Sequence, residues 1–198
     1  MAARVASMVF TPFYLPILGL VALFFLSYLS QYPPDFKFFV LAVVYFFTIL
    51  LPTLLIHLYR RYQGWSLIEL GHKERRVVPY LISIICYFIC LYLMEQMHIP
   101  YFMRSIVAAA LIIQIVCALI NVWWKISTHT AAIGGVAGAL FVFAEIFGFN
   151  PVWWFCGVLM LAGVLGSARM FLRQHSLAQV LAGFAVGFVC AGVAILLP

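Results

Sequence analysis

The chain has 198 residues, of which 67% are hydrophobic and 8% charged, with a formal net charge of +6. That balance excludes a soluble globular domain, which needs far more polar surface. Several apolar runs reach the roughly 18 residues needed to cross about 30 Å of hydrocarbon, and "LAVVYFFTILL" is apolar on every face rather than alternating. The expected fold is therefore all-α and integral to a membrane, without the strands of a barrel.

In chain order, "MAARVASMVF" lacks the basic start of a cleaved signal, so the first apolar run is expected to stay as a helix. Seven apolar segments follow one another at roughly 12–30, 37–58, 78–95, 101–123, 130–147, 152–170 and 177–197, which predicts six to seven transmembrane helices. "QYPPDF", "MHIPYF" and "GFNPVW" punctuate the turns between alternate pairs. The longest polar stretch, 59–76, reads as a loop, so the whole of 1–198 forms a single membrane domain. Cys86, Cys90, Cys117, Cys156 and Cys190 all fall within apolar runs, with no CxxC, and read as small buried hydrophobes. No Walker loop, dinucleotide-binding glycine pattern or HExxH occurs.

Threading the segments through a bilayer places 59–76, 124–130 and 169–176 on the side of the N-terminus. That side collects Arg4, Arg60, Arg61, Lys73, Arg75, Arg76, Lys125, Arg169 and Arg173, against Lys37 and Arg104 opposite. Taken alone, the asymmetry makes the N-terminal side cytoplasmic. It loses that meaning where the cations belong to a site. Small residues four apart, at Gly134 and Gly138, Ala131 and Gly135, and Gly183 and Gly187, predict close helix packing in lipid. The fifth to seventh helices are expected to bundle tightly, with the first two, in residues 1–60, peripheral.

Three polar groups stand at helix ends on the N-terminal side: "GHKERRVVPY" (71–80), "KISTH" (125–129) and "ARMFLRQHSLAQ" (168–179). Singly, each suits a basic surface loop or an interfacial histidine. Together they place His129 and His175 near helix starts, where unpaired backbone N–H groups and the dipole favour anions. Arg adds a planar fork for phosphate oxygens, and two histidines can supply a nucleophile and a general acid. His175 and Gln179 lie four apart, on one helical face. The pattern predicts a metal-free site for a phosphoryl group carried by a lipid.

The order and spacing resemble the type 2 phosphatidic acid phosphatase (PAP2) superfamily, whose second motif is Pro-Ser-Gly-His and whose third is Ser-Arg-x5-His-x3-Asp. "ISTH" keeps Ser127 and His129, with Ile126 and Thr128 at the Pro and Gly places. "ARMFLRQHSLAQ" keeps Arg169 and His175, with Ala168 for the Ser and Gln179 for the Asp. The first motif, Lys-x6-Arg-Pro, finds only Lys73, Arg75, Arg76 and Pro79, without an Arg-Pro pair. The resemblance covers roughly residues 70–190 and implies a PAP2-like helical core over that range.

It implies a lipid phosphatase or phosphotransferase that needs no metal or other cofactor. His175 would attack phosphorus to form a phosphohistidine, and His129 would protonate the leaving oxygen. Arg169, Ser127, Lys125 and one or more of Lys73, Arg75 and Arg76 would hold the phosphate. Gln179 would stand where the family's Asp orients the nucleophile, without its charge; of the carboxylates only Glu69 and Glu74 fall on the same side, and Glu74 is the expected substitute. The expected partners are the bilayer and a phosphorylated lipid such as polyprenyl diphosphate or phosphatidylglycerol phosphate, with no nucleic acid and with self-association left open. The expected location is the bacterial cytoplasmic membrane. Two alternatives stand beside this reading: a catalytically inactive lipid-binding or scaffold protein, suggested by Gln179, and a small transporter or flippase, which would need a polar path past mid-membrane.

Overall fold

The computed structural model describes residues 12–26, 31–64 and 77–197. Lys73, Glu74, Arg75 and Arg76 lie outside the described residues. A 3-10 turn, Pro12–Tyr14, leads into α1 (Leu15–Leu26). Next come α2 (Pro34–Tyr62), α3 (Val77–Gln96), α4 (Tyr101–Trp123), α5 (Thr128–Phe147), α6 (Val152–Phe171) and α7 (Leu177–Leu196). Six of them, all but α1, hold stretches long and apolar enough to cross a membrane. The described residues form an all-helical bundle, consistent with the PAP2-like membrane bundle that the resemblance implies.

Local chemistry explains the ends. Proline at the first position of α2 has a fixed φ suited to starting a helix, and Pro100 and Pro151 stand immediately before α4 and α6. Serines cap α5 and α7: Ser127 Oγ accepts from Thr130 N–H at 3.4 Å, and Ser176 Oγ from Gln179 N–H at 3.4 Å. Gly148 ends α5 at φ +65°, with Phe149 N–H returning to the Ala144 carbonyl. The second helix runs longer than the apolar run alone predicts, to Tyr62, because Arg60 and Arg61 suit the negative end of the helix dipole. Within it, Pro52 cannot donate to the Thr48 carbonyl, and the chain widens to a π-helical turn over Phe46–Leu50.

The central contact pairs α5 with α7. A Cβ on Gly134 or Gly138 would strike the carbonyl oxygen of Phe184 or Phe188, and one on Gly187 would strike that of Ala131. At Gly183 the added atom would come within 2.6 Å of the Ser127 carbonyl oxygen. Backbone therefore lies on backbone along the seam, as small residues four apart allow. α4 closes the third side with Ala109, Ile113 and Cys117 against Ala131, Ala191 and Ala194. At the far end the Tyr101 hydroxyl lies 2.8 Å from the Ile195 carbonyl and 3.0 Å from that of Leu197, serving acceptors that the end of α7 leaves open.

The expectation of a tight bundle of the fifth, sixth and seventh helices needs correcting at α6. Only Leu165, Gly166 and Ala168 of that helix are buried, and Cβ atoms at Gly157 and Gly163 would meet open space. The sixth helix docks by one end, where a Cβ on Gly166 would lie 2.8 Å from Val180 Cγ1. Conversely, α1 and α2 send Leu20, Leu23, Phe24, Val40 and Val44 into the apolar core.

The two kinds of glycine predict opposite outcomes. Gly187→Leu forces the seam apart, costing about 3 kcal/mol or more and lowering the unfolding midpoint in detergent by about 10 °C or preventing folding. Gly157→Leu should leave the midpoint within about 2 °C. Equal shifts on thermal unfolding followed by tryptophan fluorescence would show that the seam does not govern stability.

Candidate phosphate-binding site

The turn from α4 into α5 is fastened from both sides. Asn121, in the last turn of α4, donates through Nδ2 to the Cys117 carbonyl at 2.8 Å and to the Tyr80 hydroxyl at 3.2 Å. Its Oδ1 accepts from the Ile126 N–H at 3.2 Å, and Ile126, 2% exposed, anchors the turn in the core. The Ser127 N–H then donates to the Gln179 carbonyl on α7 at 3.4 Å. The "KISTH" turn is thus tied to the first turn of α7 through its backbone. Lys125, Thr128 and His129 are left facing a cavity between the helices.

The turn from α6 into α7 brings the other half. Arg169 lies in the last turn of α6, three residues after Gly166 and so on the face that docks against α7. Arg173 takes a left-handed conformation at φ +53°, and the Gln174 N–H returns to the Arg169 carbonyl at 3.1 Å. This reverses the chain within a few residues, so Arg169, Gln174 and His175 face the same cavity as His129.

Gln179 fixes His175. Ser176 and Gln179 form a reciprocal capping box, in which Gln179 Oε1 accepts from the Ser176 N–H at 3.1 Å. The same oxygen lies 3.2 Å from His175 Nδ1. A backbone N–H can only donate, so the amide atom beside it is the oxygen, and His175 Nδ1 must carry a hydrogen. In the neutral ring, Nε2 then keeps its lone pair.

The cavity has a volume of about 850 Å³, within the range of small-molecule sites. Its charged and imidazole lining gathers at one end, where Lys125, Thr128, His129, Arg169, Gln174 and His175 stand. The N-termini of α5 and α7 open there, adding two positive dipole ends to the cations. Among the described residues every carboxylate lies at the opposite end: Asp35 at the start of α2, Glu95 at the end of α3, and Glu145 at the end of α5. Glu95 pairs there with Arg104 at 3.2 Å. Among the described residues no three His, Cys, Asp or Glu side chains form a metal-holding group. The mouth is chemically suited to an anion.

Of the residues singled out in sequence, Lys125, His129, Arg169 and His175 line this mouth together, and Gln179 stands behind His175. Ser127 is fully buried, its hydroxyl engaged as the α5 cap, and it does not line the cavity. Thr128, at the Gly place of the second motif, lines it without having been given a role, Gln174 lines it without having been singled out, and Asn121, which holds the turn, was also missed. Its one signal is an amide in the last turn of an apolar helix, five residues before the turn it holds. Gln114 lines the wall deeper in.

No curated protein and no solved structure matches the chain. Its residues 121–198, which carry His129, Arg169, His175 and Gln179, match the family model of the PAP2 superfamily. That match suggests phosphatase action on a phosphorylated substrate, and the chain is consistent with a member of the PAP2 superfamily.

Proposed function

We propose that the protein is a membrane lipid phosphatase or phosphotransferase that works through a phosphohistidine, and needs no metal. One observation carries the reading: His175, with its Nδ1 held by Gln179, lines the same cavity mouth as His129, Arg169 and Lys125, between two helix N-termini. Nε2 of His175 attacks phosphorus, and a P–N bond forms as the bond to the leaving oxygen breaks. His129, protonated, gives its proton to that oxygen. Neutral His129 next takes a proton from water or another hydroxyl, whose oxygen attacks the phosphohistidine and frees His175. Arg169 and Lys125 offset charge on the equatorial oxygens, aided by the helix ends.

Position supports a lipid substrate. The mouth lies at helix ends, where headgroups meet the protein, so a polyprenyl diphosphate or phosphatidylglycerol phosphate presents its phosphate at the right depth. We further propose a bacterial cytoplasmic membrane as its location, an expectation carried by the sequence resemblance alone. The transporter reading is not favoured: below the mouth the described lining residues are mostly apolar, with Ser83, Gln114 and Cys117 the exceptions. A second reading keeps the fold and the phosphate site without turnover, and Gln179 favours it. An amide orients the imidazole but supplies no charge to stabilise it once phosphorylated.

Purified protein in detergent should release phosphate from at least one lipid mono- or diphosphate without added metal, and His175→Ala should abolish release. Folded protein inactive on the whole panel would favour the binding reading. Gln179 gives a sharper test, because Gln179→Glu keeps the shape and the capping box while adding a charge. We expect a roughly tenfold gain in kcat, with the acid limb of the pH profile moved upward because a carboxylate favours the protonated ring that cannot attack. Gln179→Ala should lower kcat about ten- to hundredfold, as loss of a hydrogen bond worth roughly 1–3 kcal/mol implies. Rates unmoved by both substitutions would remove Gln179 from the mechanism.

A further inference from the structure

Below its polar mouth the cavity changes character. On α5 its lining runs His129, Ala132, Val136, Ala139, Phe143 and Phe147, three or four residues apart, and forms one stripe down one face of the helix. From His129 to Phe147 that stripe is about 27 Å long at 1.5 Å per residue, close to the full hydrocarbon thickness of about 30 Å. Ile106, Ala110 and Ile113 of α4 face the cavity as well, and Phe13, Gly19 and Leu23 of the α1 segment contribute a further wall. The far end is aromatic. Phe143 and Phe147 stack at 5.6 Å with their planes 10° apart, and Phe102 stands edge-on to Phe147 at 5.0 Å and to Phe143 at 6.5 Å.

A cationic mouth continuous with an apolar bore is complementary to an amphiphile: a phosphate at one end and a single hydrocarbon chain behind it. A soluble phosphate ester would leave the bore without an occupant, and a lipid engaged only by its headgroup would leave its chain outside. We propose that the bore holds the hydrocarbon chain of the phosphorylated substrate, and that Phe143 and Phe147, backed by Phe102, set the chain length it accepts. This rests on the lipid-phosphate reading above, but it concerns binding rather than turnover. The selection is steric. Because the surrounding bilayer is as apolar as the bore, entry brings little gain per methylene. A chain too short leaves a void beside close-packed walls, and one too long collides with the stacked rings.

The test is competitive binding of a series of linear alkyl monophosphates of increasing length to the purified full chain, read by native mass spectrometry. Wild-type protein should show a maximum at one length. Phe147→Ala, which opens the floor, should move the maximum to longer chains, and Ala139→Phe, which narrows the bore midway, to shorter ones. Opposite shifts cannot both arise from damaged folding. His175→Ala should keep the wild-type preference, so a length maximum without hydrolysis would leave the bore standing and sink only the catalytic reading. Binding that ignores chain length, or a maximum that neither substitution moves, would overturn the proposal. So would capture of inorganic phosphate but of no alkyl phosphate.

Discussion

The backbone contact between α5 and α7 is the constraint on which the site depends. Gly183 rests against the Ser127 carbonyl and Gly187 against that of Ala131, so the start of α5 runs beside the first three turns of α7 in fixed register. The Ser127 N–H reaching the Gln179 carbonyl closes the same register at the helix ends. A side chain at either glycine would separate the seam and, with it, the two turns that carry His129 and His175. In lipid there is little hydrophobic drive between helices, so close packing of small residues must hold this geometry.

The site is assembled from helix ends. Serine caps start both α5 and α7, and each cap is adjacent to a residue that faces the cavity: Thr128 after Ser127, and His175 before Ser176. Capping removes some of the orphan N–H groups at each start, while the dipoles still favour an anion there. Gln179 joins the two roles, since one carboxamide oxygen completes a capping box and holds the imidazole. The structural demand for Glu or Gln at the third position of a capping box gives Gln179 a reason to be where it is, whether or not the site turns over. The contribution of α6 is narrower. Buried only near its Arg169 end, it delivers one guanidinium to the mouth, while Trp154 and Val158 line the cavity further along and most of its length faces outward.

Much of this was legible in the sequence because membrane helices announce themselves by length and apolarity. The ends of α4, α5, α6 and α7 fall within a residue or two of the apolar runs, and the glycine pairs at 134/138 and 183/187 mark the α5–α7 seam. His129, Arg169 and His175 could be grouped because topology puts their turns on one side. What composition could not give was which helices touch. Gly157 and Gly163 look in sequence like the glycines of α5 and α7, yet face open space. Ser127 offered a hydroxyl at the right place in a motif, but in the structure it is buried and accepts at the α5 cap, which sequence alone did not reveal. The bore was invisible because its walls are ordinary apolar residues, and only their alignment on facing helices makes a cavity.

The central claim is that His175 becomes covalently phosphorylated. Protein exposed to a lipid phosphate, quenched in alkali and digested, should yield by mass spectrometry a peptide carrying an acid-labile phosphate on His175, absent from His175→Ala. A quenched reaction that releases phosphate but leaves no phosphate on His175, or leaves it on His129 instead, would contradict the account.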